Sequence, residues 1–257
     1  YRRQRQMCIR DRFKIDLSSA ICLSCPKGGR LHEPDHWGGN GRHGMKYGLQ
    51  FRDVFAAWEF LLDGVLLTLA LSIATMVLGF VLGLVCACAK TYGGPRLKQA
   101  MTAYIEAIRN TPLLVQIFLL YFGLPSLGLR LEGFDAALLA LVINLGAYST
   151  EIIRAGLEAI PRAQIEAGQS LGLTPWQIFR YIIVFPAIRA MYPALASQFI
   201  LLMLATSVVS QISVQDLFHV GSIIQSRTFR DFEVYTVIGG IYLALAFLMR
   251  GVFALIY

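Results

Sequence analysis

One uncharged run constrains this chain more than any other feature. Val65 to Ala89 is a stretch of 25 residues without a charged side chain, and a helix needs only about 20 apolar residues to cross a bilayer. The whole chain is 56% hydrophobic and 15% charged, whereas soluble domains are roughly half apolar and a quarter charged. The sequence therefore predicts an integral membrane protein.

Four further apolar segments follow, and each is long enough to cross a bilayer as a helix. The first of them contains Asn110-Thr111-Pro112, which predicts a kink because proline removes a backbone donor. We thus expect an all-α integral membrane protein with about five transmembrane helices. The four segments lie at about residues 100–124, 134–153, 192–212 and 234–257.

The first loop between spans sets the expected orientation. Lys90, Arg96 and Lys98 surround a Gly-Gly-Pro turn, and basic residues beside a span favour the cytoplasmic side. Five spans then place the N-terminus outside and the C-terminus in the cytoplasm. Arg250, in the last span, would reach the cytoplasmic interface by snorkelling.

Residues 1–44 differ from the rest of the chain. They hold nine Lys/Arg against four Asp/Glu, so most of the net charge of +7 lies there. They lack helical or strand periodicity, and we expect a disordered tail. The opening YRRQRQMCIRDR resembles sequencing-adaptor read-through, which makes the tail a candidate non-native segment with Met45 as the natural start. The transmembrane domain would then be 45–257, truncated at Tyr257 within its last apolar run.

A polar stretch between the third and fourth spans is too patterned for a loose loop. Its first helix is predicted at 162–171 and ends at Gly172, a residue suited to the left-handed turn that stops a helix. Thr174, Pro175 and Gln177 predict a second helix that begins with a capping box. We call residues 162–177 the hairpin.

Two interpretations of the hairpin remain open from its residues alone. It is either a rigid element that docks a soluble partner, with small Ala167 and Gly168 allowing close approach, or an interfacial helical hairpin with no partner. A second outer helix is predicted after Ser213-Val214-Gln215-Asp216, read as a capping box. That helix either helps close an external gate or lies across the bundle.

Polar side chains inside the spans are functional candidates, because polar groups are costly in lipid. The alternative is that they bond between helices. Glu151 with Arg154, and Glu106 with Arg109, are spaced to pair along one helix face. The candidates for a substrate pathway are Gln116, Asn144, Tyr148, Glu151 and Ser207.

Several motifs, in order, resemble a known family. Glu166-Ala167-Gly168-x3-Gly172 resembles the EAA loop of the membrane subunits of ATP-binding cassette (ABC) importers. Other segments look like the helix signatures of the polar amino acid permease subfamily, of the histidine/glutamine permease type. These segments are Thr68, Leu71 and Ser72, then 104–116, 146–156 and 197–200.

The resemblance implies a type I ABC importer fold, with a two-short-helix coupling loop between the third and fourth spans. It implies that Glu166, Ala167, Gly168 and Gly172 dock into a separate ATPase, which binds ATP and Mg. It further implies a second permease subunit, homo- or heterodimeric, and an extracytoplasmic amino-acid-binding protein. No cofactor, metal or catalytic residue is expected on this chain. No G-x4-G-K-[ST] phosphate loop occurs in it, so we expect ATP hydrolysis, if used, to come from a partner.

Three departures qualify the resemblance. Gly168 stands where alanine is usual, and Pro186 lies one place later than the common Leu-Pro pair. Leu204 to Ser207 reads LATS where many relatives have a Lys-Asp-Thr-Ser type sequence, which weakens any inference about the amino acid carried.

The alternative function is an ion- or proton-coupled secondary amino acid carrier with Glu151 as its proton site. Such carriers often contain two related halves. We detect no internal repeat in this sequence.

Overall fold

The computed structural model describes residues 49–256, and every regular element in that range is helical. The predictions for residues 1–44 lie outside the described residues. Two π-helical stretches, Leu119–Gly123 and Ile178–Val184, and two 3-10 stretches, Leu124–Leu127 and Thr206–Ile212, join the α-helices. The α-helices are α1 (Arg52–Ala56), α2 (Trp58–Tyr92), α3 (Pro95–Arg109), α4 (Leu113–Phe118), α5 (Gly133–Glu158), α6 (Arg162–Ser170), α7 (Pro175–Gln177), α8 (Phe185–Ala205), α9 (Leu217–Thr228) and α10 (Asp231–Ile256).

Within residues 49–256, four helical segments are long and apolar enough to cross a membrane: α2, α5, the 175–212 segment that contains α8, and α10. A fifth span is broken, because α3 and residues 113–127 form a pair bent by 108°. The all-α fold with about five spans is confirmed. The second span, predicted at about residues 100–124, takes the form of this bent pair.

The sharp bend between α3 and α4 has a local cause. Pro112 cannot donate to the α-helical ladder, and it takes an extended conformation with ψ 138°. Asn110 closes α3 by donating its N–H to the Glu106 carbonyl. The kink predicted at Asn110-Thr111-Pro112 is therefore present, and it is large enough to turn the chain.

Small residues on α2 allow it to approach α5 closely. A Cβ added at Gly79 would lie 2.8 Å from Leu145, and one added at Gly83 would lie 2.5 Å from the Cβ of Ser149. Ala87, one turn further along, is buried. The small residues on this face of α2 thus serve helix contact, as they commonly do between membrane helices.

The start of α9 differs from its predicted form. Ser213 adopts a left-handed conformation with φ 61° and closes the preceding 3-10 stretch. The N-cap is Asp216, whose carboxylate accepts hydrogen bonds from the backbone N–H groups of Phe218 and His219. The predicted capping box at 213–216 is wrong, because a left-handed residue at Ser213 cannot begin the helix.

The position of α9 follows from its buried face. Leu217, Val220 and Ile224 are buried against α2 and α10. The N–H of Leu217 donates to the Thr68 hydroxyl of α2 at 3.0 Å. This helix therefore packs across the bundle at the end opposite the hairpin.

Candidate functional site

The turn at the end of α6 is built entirely from local hydrogen bonds. Gly172 has φ 73°, a left-handed conformation that glycine adopts without strain. The N–H of Leu173 donates to the Gly168 carbonyl at 3.2 Å, and that of Gly172 donates to the Gln169 carbonyl at 2.9 Å. These two bonds form a Schellman motif, which satisfies carbonyls that the helix end would leave unpaired. The predicted stop at Gly172 is present.

The second helix of the hairpin begins as predicted but does not end as a separate helix. Thr174 and Gln177 form a reciprocal capping box around Pro175. The chain then continues through the π-helical stretch Ile178–Val184 directly into α8. The hairpin is therefore joined to the fourth span by continuous helix, with no loop between them.

The four residues predicted for coupling have different environments. Glu166 and Ala167 are exposed, and Gly172 lies in open space at the turn. Gly168 is buried, since a Cβ there would lie 2.4 Å from the Cδ1 of Ile182. Gly168 thus packs against Ile182 of the same chain, and that it also lets a partner approach stays a prediction.

Two large apolar side chains on the hairpin were missed by the sequence analysis. Leu171 is 79% exposed and Trp176 is 67% exposed. Trp176 stacks on Phe179, with ring centroids 5.8 Å apart, so its ring is held in place. Tryptophan is enriched among the residues that dominate binding at protein interfaces. An apolar residue on each side of Gly172, in an otherwise polar stretch, was the available signal.

Gln116 and Asn144 bond to each other and close the bend between α3 and α4. The Nε2 of Gln116 lies 2.8 Å from the Ile108 carbonyl and 2.9 Å from the Thr111 hydroxyl. The Nδ2 of Asn144, on α5, donates to the Oε1 of Gln116 at 3.0 Å. These two substrate-path candidates therefore hold the break in the second span against the third.

Glu151 belongs to a network of four charged side chains. Its Oε1 lies 2.7 Å from the Nζ of Lys90, at the end of α2. Its Oε2 accepts from Arg154 at 2.9 Å, and Arg154 also pairs with the exposed Glu158 at 2.6 Å. The predicted Glu151–Arg154 pair is present, and Lys90 is an unpredicted third member.

Tyr148 lines an open cavity with a volume of about 460 Å³. Arg109 lies over its ring, 5.4 Å from the centroid, which is a cation–π distance. The predicted pairing of Arg109 with Glu106 is absent among the ion pairs of residues 49–256. The polar side chains of the cavity are those of Arg109, Tyr148, Glu151, Arg154 and Gln198.

The candidate pathway residues thus separate into three groups. Tyr148 and Glu151 share the cavity, while Gln116 and Asn144 are not among the residues that line it. Ser207 lies in the 3-10 stretch after α8, where its hydroxyl donates to the Leu204 carbonyl at 2.8 Å. Gln198 and Arg109 line the cavity and had not been predicted for it.

Comparisons with known proteins place these features in a family. Residues 79–257 match the family model described as a binding-protein-dependent transport system inner membrane component. The chain is 36% identical over 203 residues to the glutamine transport system permease protein GlnP of Escherichia coli (strain K12), across 77% of this chain and 93% of that protein. It is 37% identical over 192 residues to the probable glutamine ABC transporter permease protein GlnM of Bacillus subtilis (strain 168), across 75% of this chain and 89% of that protein.

Solved structures agree with this match. A structure described as an amino acid ABC transporter with histidines aligns with a TM-score of 0.77 at 37% identity, over 81% of this chain and 98% of that chain. An inward-facing MetNI methionine ABC transporter aligns with a TM-score of 0.66 at 21% identity, over 78% and 96% of the two chains, and shows the shared fold. This is a multi-pass inner membrane protein, and the chain belongs to the family of binding-protein-dependent transport system inner membrane components.

Proposed function

We propose that this chain is the transmembrane pathway subunit of an ATP-driven importer of polar amino acids. The observation that carries the proposal is the hairpin, whose capped turn presents Leu171 and Trp176 to solvent and continues without a break into α8. Family membership and the names of the relatives support the same assignment. The chain is a permease subunit without its own ATPase site, because its sequence contains no phosphate loop.

Coupling runs through the hairpin to a separate ABC ATPase, which binds ATP and Mg. Glu166 and Ala167 form the exposed face of α6, and Leu171 extends beyond the helix end. Gly172 shapes the turn, and Gly168 lies against Ile182 of the π-helical stretch. When the ATPase subunits close, they move the hairpin and switch the spans between inward- and outward-facing states.

The hairpin then lies on the cytoplasmic side, together with the basic turn after α2. This orientation follows from the positive-inside rule applied to Lys90, Arg96 and Lys98. The N-terminus is outside and the C-terminus is cytoplasmic. The end of the bundle that carries α9 faces the extracytoplasmic amino-acid-binding protein.

The substrate passes along the face that carries the 460 Å³ cavity, against a second permease subunit. Arg109, Tyr148 and Gln198 offer it a cation, an aromatic face and an amide. Glu151 lines the same cavity with both carboxylate oxygens engaged by basic side chains. Two neighbouring cations favour the ionised form of Glu151. This disfavours the alternative of a secondary carrier that uses Glu151 as its proton site.

The docking surface is tested by co-purification with a co-expressed candidate ABC ATPase from the same organism. We expect Leu171→Asp and Trp176→Ala to reduce the retained ATPase by about tenfold or more, since aromatic interface residues often contribute 2 kcal/mol or more. Trp58→Ala is the matched control, because Trp58 is also exposed but lies at the other end of the bundle. Undiminished ATPase in both hairpin variants would refute docking through this surface.

The energy source is tested in proteoliposomes that contain the purified complex. We expect amino acid uptake to require ATP on the side of the membrane where the hairpin lies. Uptake should persist when an ionophore collapses the proton gradient. Uptake that survives removal of the ATPase but stops with the ionophore would establish the secondary carrier instead.

A further inference from the structure

Arg109 is a cation placed where a membrane span is broken. It is the last residue of α3, and the bend of 108° to α4 follows directly after it. Gln116 bonds the carbonyl of Ile108, the neighbour of Arg109, and also bonds the amide of Asn144. Asn144 lies near the middle of α5. Arg109 therefore lies at the level of the middle of the third span, away from both of its ends.

The exposed backbone of the bend indicates that this region faces water. Asn110, Thr111 and Pro112 are all exposed, and none of them continues an α-helix. At the depth of the hydrocarbon core, irregular backbone occurs only where it is buried in protein or lines a water-filled cavity. An arginine at that depth has the same requirement, because a charge in lipid is costly. The cavity of about 460 Å³ that Arg109 lines meets this requirement.

The charge of Arg109 is not balanced by the other charged side chains of the cavity. Glu151 and Arg154 line the cavity too, but both belong to a network whose formal charges sum to zero. The members of that network are two cations, Lys90 and Arg154, and two anions, Glu151 and Glu158. Arg109 forms no ion pair in the part of the chain that the structure describes. Among the described residues, the cavity therefore carries one uncompensated positive charge.

Tyr148 positions the guanidinium of Arg109 and leaves it able to bind an anion. The Cζ of Arg109 lies 5.4 Å from the centroid of the Tyr148 ring. A ring face attracts the guanidinium through its charge, and it offers no oxygen to the five N–H donors. A cation–π contact at an exposed site also contributes less free energy than it costs to place arginine within a span. Packing on Tyr148 alone therefore does not account for this arginine.

We propose that Arg109 binds the carboxylate of the transported amino acid, and that Gln198 forms hydrogen bonds with other polar groups of the same molecule. The planar fork of arginine matches the two oxygens of a carboxylate. Gln198 is half-buried on α8 and lines the same cavity. Every free amino acid carries the carboxylate, so Arg109 selects amino acids as a class. This inference rests on the proposed import function.

Two other anions compete for the same arginine. A lipid phosphate fits the site poorly, because headgroups lie at the membrane surface and Arg109 lies at the level of the middle of α5. A carboxylate of the second permease subunit would make Arg109 necessary for the two subunits to stay together. Assembly of the complex is therefore measured together with binding.

Binding is measured with the purified complex of permease and ATPase subunits in detergent, without the binding protein. Each standard L-amino acid is supplied in radiolabelled form. The one that binds best is then compared with its own α-amide, which lacks the carboxylate. We expect the parent complex to bind the amino acid about tenfold or more tightly than the amide, since hydrogen bonds to charged groups contribute at least that much.

Four variants separate carboxylate binding from a structural role. Arg109→Gln should bind the amino acid and its amide about equally, and Arg109→Lys should retain part of the preference because it keeps the charge. Gln198→Leu should weaken binding of both compounds and leave their ratio unchanged. Arg189→Gln is the control, because Arg189 is exposed on α8 but does not line this cavity. A merely structural Arg109 would weaken both compounds alike in Arg109→Gln.

Four outcomes would overturn the inference. Three concern binding: no standard amino acid binds the parent complex, the parent binds the amino acid and its amide equally, or Arg109→Gln keeps the preference of the parent. The fourth is separation of the permease subunits in Arg109→Gln, seen by size-exclusion chromatography, which would assign Arg109 to the subunit contact.

ATP-dependent uptake by the parent complex in proteoliposomes distinguishes failure of this inference from failure of the proposed function. Uptake that is present while the binding results fail would retain the import function and remove only the role of Arg109. Absence of uptake would refute the import function even where the cavity prefers the carboxylate.

Discussion

The Nζ of Lys90 lies 2.7 Å from the Oε1 of Glu151, and this contact joins the end of the first span to the third across 61 residues of sequence. Arg154 occupies the other oxygen of Glu151 at 2.9 Å. Glu151 is therefore the shared anion of two cations on two helices. The Glu151 side chain is only 19% exposed. Water can therefore replace little of the stabilisation that either cation gives its carboxylate.

The first prediction is that Glu151→Gln destabilises the protein much more than Glu158→Gln. Loss of Glu151 leaves Lys90 without its partner in a partly buried setting, and hydrogen bonds to charged groups contribute about 1.5–3 kcal/mol. Glu158 is 64% exposed, and exposed pairs contribute about 0–1 kcal/mol. We expect the melting temperature in detergent to fall by about 4–10 °C for Glu151→Gln and by less than about 4 °C for Glu158→Gln.

A double-mutant cycle with Lys90→Gln identifies the source of that loss. Glu151→Gln combined with Lys90→Gln should be more stable than the sum of the single changes predicts, by about 0.5–3 kcal/mol. Additive effects would mean that the Lys90–Glu151 contact contributes nothing to stability.

The second prediction concerns the two hairpin glycines, which respond differently to alanine. At Gly168 the obstructing atom is the Cδ1 of Ile182, the end of a flexible side chain. Gly168→Ala should therefore be neutral or stabilising by up to about 1 kcal/mol, since alanine favours the helix. At Gly172 the φ of 73° makes Gly172→Ala destabilising by about 1–2 kcal/mol.

Limited proteolysis of the hairpin measures this difference. Gly172→Asn is the control, because asparagine tolerates the left-handed region better than alanine does. We expect the hairpin to resist cleavage best in Gly168→Ala, less well in Gly172→Asn and least in Gly172→Ala. Equal protection of the two Gly172 variants would show that backbone strain does not govern the turn.

The third prediction is that Gln116→Leu is more harmful than Asn144→Leu. Gln116→Leu removes the hydrogen bonds that Gln116 makes to the Ile108 carbonyl, to the carbonyl and hydroxyl of Thr111 and to the Asn144 amide. Asn144→Leu removes a single bond to Gln116. We expect losses of about 2–4 kcal/mol and about 1–2 kcal/mol respectively, measured as urea or thermal unfolding in detergent. A larger loss for Asn144→Leu would contradict the assignment of Gln116 as the centre of the bend.

Local signals account for what could be predicted from the sequence. The Gly172 stop and the Thr174–Gln177 capping box depend on residues within four positions of each other, so their pattern alone specifies the backbone. Gly79 and Gly83, four residues apart, are a local pattern of the same kind for the close contact with α5. In each of these cases, the spacing of the residues along the chain permits only one local backbone or helix-contact geometry.

Contacts between distant segments account for what could not be predicted. Glu106 and Arg109 have the spacing of a pair, yet Arg109 lies over Tyr148 of another helix. The packing of Ile182 against Gly168 of the same chain is a second contact that spacing along one helix does not indicate. Helical spacing limits which residues can meet along one helix, and only the packed bundle decides which contact forms.

Asp216, the N-cap of α9, is a buried carboxylate that should make stability depend on pH. It is 0% exposed, and burial raises the pKa of Asp216 to about 6, although hydrogen bonds from His219, Phe218 and Tyr242 oppose that rise. The folded chain therefore retains a proton that the unfolded chain has already released at lower pH. The retained proton on Asp216 therefore adds to the free energy of unfolding. This contribution is complete below the ordinary aspartate pKa of about 3.9, and it is lost as pH rises to about 6.

The fourth prediction is that Asp216→Asn removes this pH dependence. Asparagine still caps α9, because its side-chain oxygen can accept from the backbone N–H groups, and it remains neutral at every pH. The variant should be more stable than the parent at pH 7 by up to about 3 kcal/mol, with the two converging near pH 4. Unfolding in detergent from pH 4 to 7 measures this, and His219→Gln controls for a histidine contribution. Parallel pH profiles for the parent and Asp216→Asn would contradict the raised pKa, because they would assign the pH dependence to other groups.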